Sequence, residues 1–242
     1  MKALLASLLA FAPLAAQAGE HAVPVDANMA SQPVSMLVLL AVMALLPFAA
    51  VMLTAFSKIA VVLSLARSAM GTQQAPPTIV LTGLAAVLSG HIMTPVVEHM
   101  YEAGRSSFRS VNSTSEALIA ATAVGQPLRE FLVKHGSQEE RARFVDLARE
   151  LRPAEESALV CEDDLSVVVP AFVITELKES FQIGFLIFLP FLVLDMVIAN
   201  VLLALGMQTL SPSQVSLPFK ILLFVAVDGW GLLAQGLILG YR

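Results

Sequence analysis

Four apolar runs and one long polar stretch set the plan of this chain. Val34 to Thr54 is the first run and is about long enough to cross a hydrocarbon core of roughly 30 Å. Pro47 lies inside it and is expected to kink it. Ala55 to Gly71 continues at helix period but carries Lys58 and Arg67, and Gly71-Thr72-Gln73-Gln74-Ala75-Pro76-Pro77 breaks the pattern. Ile79 to Val97 is the second run, Ile183 to Gly206 the third and Val215 to Leu239 the fourth. Between the last two lie only Met207 to Gln214, so these helices are expected to be antiparallel neighbours, a helical hairpin. Residues 98–165 are polar. Gln126–Lys134 and Ser137–Arg152 read as short amphipathic helices there, the second with Phe144, Leu147, Ala148 and Leu151 at i, i+3, i+4 and i+7. Ser137 and Glu140 form a capping-box start, and Pro153 stands where a helix stop is expected. No period-2 alternation points to strands, and no internal repeat is visible.

The opening residues follow the pattern of a processing signal. Lys2 supplies a positive start, Ala3 to Ala15 an apolar core, and Ala16-Gln17-Ala18 a cleavage motif, so removal after Ala18 is expected. The resulting division is a signal peptide (1–18), a linker (19–33), a first apolar helical hairpin (34–97), an acidic periplasmic helical segment (98–165) and a second apolar helical hairpin (166–242).

Composition agrees with a membrane protein. The chain has 242 residues, 57% hydrophobic and 14% charged, against about 25% charged for soluble domains. The net charge of −5 is confined to the middle: residues 98–164 hold eight Lys and Arg against thirteen Asp and Glu, and the remainder is balanced. No basic patch suits a nucleic acid. Lys58 and Arg67 place the first connection in the cytoplasm by the positive-inside rule, which puts the acidic middle in the periplasm. Cys161 is the only cysteine, which excludes an intrachain disulfide and reads as a structural thiol.

The charges inside the apolar helices carry the chemistry. With Val169 to Gln182 drawn at 100° per residue, Val169, Phe172, Val173, Leu177 and Phe181 share one face, and Glu176 falls within it. A buried carboxylate needs a partner, and an intersubunit polar contact is the sharper expectation; a place at the rim of the face is the plainer one. Asp195, Lys220 and Asp228 lie within the last two apolar runs, where free exposure to lipid is costly. Ion pairing within the hairpin or between subunits, a polar channel lining and a catalytic acid pair all fit three such charges. Asp228 stands in Val-Asp-Gly-Trp, without the Gly-x-Gly-Asp pattern of intramembrane aspartyl proteases. His91 and His99 do not form a metal set, and no Walker loop or Gly-x-Ser-x-Gly occurs. No cofactor is expected.

Two long motifs point further. Pro170-Ala171-Phe172-Val173-Ile174-Thr175-Glu176-Leu177 and Phe181-Gln182-Ile183-Gly184-Phe185-Leu186-Ile187-Phe188-Leu189-Pro190-Phe191-Leu192 resemble the signature of the FliP/SctR proteins, core components of flagellar and injectisome type III export gates. Ser216-Leu217-Pro218-Phe219-Lys220, the stretch Phe224 to Trp230 and Gly71 to Pro77 extend the resemblance. It implies an all-α fold of membrane-associated helical hairpins with a small helical periplasmic insertion, assembling into a pentameric ring. It implies SctS/FliQ-like and SctT/FliR-like partner subunits, an SctU/FlhB-like switch protein, and passage of unfolded secreted proteins rather than catalysis. The expected location is the bacterial inner membrane, with the assembled complex largely on its periplasmic side. In the flagellar members the hairpin turn carries methionines that constrict the closed channel. The matching positions are Met207, Gln208 and Thr209, of which only the first keeps methionine. Glu176, Asp195, Lys220 and Asp228 become candidates for buried polar contacts in assembly. Ile198 to Met207, Leu210-Ser211-Pro212 and Gln235-Gly236-Leu237 resemble the injectisome branch more than the flagellar one. A proton-coupled small-solute transporter and an intramembrane hydrolase are the competing classes.

Overall fold

The computed structural model describes residues 33–72, 74–107, 114–207 and 209–242. The segment read as a signal peptide, and the linker up to Gln32, lie outside the described residues. The chain divides into two units, Met1–Ala49 and Ala50–Arg242. Within the first unit, helix α1 (Pro33–Met52) begins and runs through Pro47 to end beyond the unit boundary. Its Leu37, Leu40, Leu45 and Phe48 are exposed.

The second unit is helical throughout its described residues: α2 (Phe56–Ala69), α3 (Thr78–Ser107), α4 (Thr114–His135), α5 (Gln138–Glu150), the single turn α6 (Ala154–Ser157), α7 (Leu165–Ala204), α8 (Pro212–Ala226) and α9 (Gly229–Leu239). Helix α2 is the hub. Its Ile59, Val62, Leu63 and Ala66 follow the i, i+3, i+4, i+7 pattern and are buried, packed between α3 and α7. The main core joins Ile59, Val62 and Leu63 to Leu81, Ala85 and Met93 of α3, Phe131 and Leu132 of α4, Val168 and Phe172 of α7, and Leu237 and Tyr241 at the end of the chain. A smaller cluster gathers Ala69, Met70, Phe191 and Phe224 near the start of the hairpin.

Among the described residues two helices, α3 with 30 residues and α7 with 40, are long and apolar enough by themselves to cross a membrane, with mean hydropathies of 1.7 and 2.5 over an 18-residue stretch of each. The pair α8 and α9 passes the same test together, although bent by 58°. At 1.5 Å per residue α7 is about 60 Å long, twice a hydrocarbon core of roughly 30 Å. The polar segment 169–182 and the third apolar run are therefore one continuous rod. Helix α7 contains both Pro170 and Pro190, each of which removes one backbone donor without ending the helix.

Several expectations need correction. The fourth apolar run is two helices, broken at Val227 and Asp228, because Asp228 adopts the left-handed conformation (φ 52°, ψ 50°). Helix α3 crosses the polarity boundary at Glu98 and continues to Ser107. In α5 the buried apolar residue is Val145, packed on Val160 and Val167 with Phe144 and Ala148 beside it, while Leu147 and Leu151 are exposed. The capping box is not made. Ser137 is the N-cap of α5, but its side chain makes no capping bond. Glu140 instead faces Lys178 of α7 at 3.5 Å and Arg143 at 3.7 Å, because α5 packs on α7 along this edge. Cys161 is exposed rather than structural; its thiol lies 3.6 Å from the Leu159 carbonyl.

Candidate functional site

Lys58, Glu176, Glu179, Asp195 and Lys220 of the apolar helices come together at two separate centres. The first joins α2, α7 and the end of the chain. Glu176 sits on the α7 face that packs on α2 and is fully buried; Lys58 on α2 is 5% exposed. The Lys58 ammonium lies 2.9 Å from Glu176 Oε1, a charge contact off the line of a hydrogen bond, and 2.6 Å from Glu179 Oε2. The Tyr241 hydroxyl donates to Glu176 Oε2, and its ring lies under the same ammonium, 4.3 Å from Nζ to the centroid. Ser180 completes the centre by donating to the Glu176 carbonyl at 2.6 Å.

This arrangement bears on two readings. Glu176 has a cation and a hydroxyl donor within its own chain, which account for its burial without an intersubunit contact. Lys58 is a core residue with two carboxylates around it, and so it does not report the cytoplasmic side as a free loop cation would. Arg67 is also committed, donating to the Pro76 carbonyl at 3.3 Å and to Thr78 Oγ1 at 3.0 Å. A lysine amid apolar helix residues was the available signal for a partner of Glu176. Nothing in the sequence pattern singled out Tyr241.

His135, at the end of α4, closes the first centre on the side of the polar segment. Its ring lies 5.0 Å from that of Tyr241 and 4.7 Å from that of Phe131. Burial, then the Lys134 and Lys58 cations, push its pKa down from 6.5 to about 4, against a smaller opposing pull from Glu179. The sign follows from proton counting. Between pH 6.5 and about 4 the unfolded chain takes up a proton that the folded one refuses, so stability falls as pH drops through this window. Unfolding temperatures of the detergent-solubilised protein are expected to fall between pH 7.5 and 5, and His135→Phe to flatten that slope. An equal slope in both proteins would refute the assignment.

The second centre ties the last hairpin together. Asp195 of α7 accepts from the Ser216 hydroxyl at 2.5 Å on Oδ1, and Lys220 Nζ of α8 lies 2.6 Å from Oδ2. Ser216 and Lys220 are buried, while the Asp195 side chain is 34% exposed. Of the pairings open from sequence, the structure brings Lys220 to Asp195 and adds Ser216, which the sequence reading missed. It does not bring Asp228 into this centre. Asp228 is exposed, in the left-handed turn between α8 and α9.

The hairpin turn is placed by the end of α7. Gly206, at φ 73°, donates its N–H to the Leu203 carbonyl at 3.0 Å, and the Met207 N–H donates to the Leu202 carbonyl at 3.0 Å. This is a Schellman closure, which satisfies two end carbonyls and fixes where Met207 leaves the helix. The Met207 side chain is 47% exposed, as is Leu210 at 48%. Thr209 is exposed, and Gln208 lies outside the described residues.

Comparison with known proteins gives these centres a context. The model of the FliP family matches residues 39–237. The hypersensitivity response secretion protein HrcR of Ralstonia nicotianae is 44% identical over 210 residues, covering 86% of this chain and 97% of that protein. Yop proteins translocation protein R of Yersinia pestis is 42% identical over 211 residues, 86% of this chain and 96% of that one. The flagellar biosynthetic protein FliP of Bacillus subtilis is 41% identical over 214 residues, 88% and 94% of the two chains.

Proposed function

This chain belongs to the FliP family, and from that membership we propose that it is a core subunit of a type III secretion export gate, through which unfolded proteins leave across the bacterial inner membrane. The observation that carries this reading is the match, over nearly their whole length, to relatives whose names are those of secretion and translocation proteins. Such a subunit acts by assembling and by opening, and the centres described above suit that work. Each ties helices together through paired charges, as packing and polar pairs do within membranes.

The finer picture is a ring of five copies completed by SctS/FliQ-like and SctT/FliR-like subunits, with an SctU/FlhB-like switch protein beside it. The outer faces of α7 support a large assembly, since Phe181, Phe185, Leu186, Leu192 and Met196 are all exposed on one subunit. A helix much longer than a membrane is thick also supports placing part of the assembled complex on the periplasmic side. In this picture the 207–209 turn lines the constriction. Met207 is exposed and flexible, and Leu210 beside it is apolar, so the two supply a deformable seal. Glu176, Lys220 and Asp195 act one step earlier, by holding the helices that carry the turn.

Deleting the gene and restoring it on a plasmid tests the main reading. Loss of effector secretion with motility intact is the expected result. Loss of motility with secretion intact would overturn it in favour of the flagellar gate. Met207→Ala in the assembled gate is expected to raise ion conductance through the closed channel several-fold. Conductance equal to the wild type would remove Met207 from the seal.

A further inference from the structure

Residues 166–242 contain four acids, and three of them are matched within the chain: Glu176 and Glu179 by Lys58, Asp195 by Lys220. For Asp228 there is no side-chain hydrogen bond or ion pair among the described residues. It occupies the N-cap position of α9, yet its carboxylate makes no capping bond. The local backbone nonetheless makes room for it. A Cβ at Gly231 would lie 2.3 Å from Asp228 Oδ2, so only glycine there leaves the carboxylate its place. The left-handed conformation of Asp228 puts it at the elbow where α8 and α9 meet at 58°. Near it along the chain, Leu222, Val225, Val227 and Leu232 are exposed, at 70%, 69%, 51% and 59%. The result is one carboxylate within an exposed apolar stretch, on a helix pair apolar enough for a membrane. A single charge in that setting calls for an opposite charge from outside the chain.

We propose that Asp228 and the nearby Leu222, Val225, Val227 and Leu232 form a docking site for a membrane helix of a different protein, one that carries a single Lys or Arg within an apolar stretch. The inference rests on the reading of the chain as an export-gate subunit. Charge complementarity selects a cationic partner, and the apolar rim selects a helix that is otherwise apolar. A second copy of this chain fits less well, because among the described residues the cations inside its apolar helices already have partners. Lys58 holds Glu176 and Glu179, Lys220 holds Asp195, Lys178 lies 3.5 Å from Glu140, and Arg67 holds the Pro76 carbonyl and Thr78. Arg105 and Arg242 stand at helix ends rather than within an apolar stretch.

Asp228→Asn separates this role from capping. Asparagine caps a helix and accepts the left-handed conformation as well as aspartate does, but carries no charge. The test uses the whole gate, expressed from its own operon, purified through a tag on this chain and carrying a photo-crosslinking residue at Val227. In the wild type, Val227 is expected to crosslink to a non-identical subunit, next to a Lys or Arg. In Asp228→Asn the yield of that subunit should fall about tenfold, the scale of losing a charge pair at an interface. Asp228→Lys should recover it when the partner's cation is changed to Asp. Complexes of wild-type composition with Asp228→Asn would overturn the proposal, as would crosslinking of Val227 mainly to a second copy. So would a lowered unfolding temperature of the isolated Asp228→Asn subunit, which would make Asp228 a structural residue. Failure of the wild-type chain to co-purify with any other membrane subunit is a different result, and it would sink the export-gate reading itself.

Discussion

Lys58→Met is expected to cost the isolated subunit about 3–5 kcal/mol, the usual loss when one member of a buried ion pair is removed. The large value comes from what is left behind. Without the ammonium, Glu176 remains fully buried with only the Tyr241 hydroxyl, and Glu179 loses its partner 2.6 Å away. Against a total stability of roughly 5–15 kcal/mol, such a loss is enough to deplete the folded protein. Thermal unfolding in detergent, or the monodisperse yield after solubilisation, would register it. Lys58→Met combined with Glu176→Gln should regain much of the loss, since an amide oxygen still accepts from Tyr241 and leaves no charge unmatched. The contrast between subunit and assembly is informative. If Glu176 served a neighbouring subunit instead, Lys58→Met would leave the isolated protein as stable as the wild type and weaken only the ring.

Gly229→Ala is the second large effect. A Cβ at this position would lie 2.4, 2.5 and 2.6 Å from Cε2, Cδ2 and Cζ of Phe224. Those are ring atoms, not the free end of a flexible chain, and the ring has little room to yield. Phe224 is 6% exposed, 5.1 Å from the Trp230 ring and 6.3 Å from that of Phe191. Overpacking of this kind costs about 1–3 kcal/mol. It also falls at the elbow of the hairpin, so the relative placement of α8 and α9 should shift with it. Unfolding of Gly229→Ala alone and combined with Phe224→Leu checks the cause: the smaller side chain should restore part of the loss. Equal destabilisation in the two proteins would place the strain elsewhere.

How far the sequence revealed these features depended on whether the signal was local. The burial of Glu176 was readable because a helix wheel shows which face a residue shares. Its partners were not, since Lys58 and Tyr241 reach it from distant parts of the chain and a wheel carries no information about neighbours. The Asp195–Lys220 pair was readable as one of several pairings because a short turn forces α7 and α8 together. The elbow at Asp228 was missed although Asp-Gly is a recognised turn dipeptide, because the apolar run on either side masked it. The buried face of α5 was misplaced for a related reason. Leucines at helical spacing suggested one face, while the Glu140 contact with Lys178 turned the helix toward another. Family membership was legible from long motifs, which lie mainly in α7, α8 and the 71–77 loop.

The first charge centre also has a history during synthesis. Glu176 is made 118 residues after Lys58, and Tyr241 a further 65 residues later. At about 5–20 residues per second, the lysine waits on the order of ten seconds for its carboxylate. Over that time α2 is an apolar helix with an unmatched cation, a poor candidate for release into lipid by itself. The centre closes only when Tyr241 has been added. It joins one residue made early to two made late, so its charges are fully matched only in the finished chain.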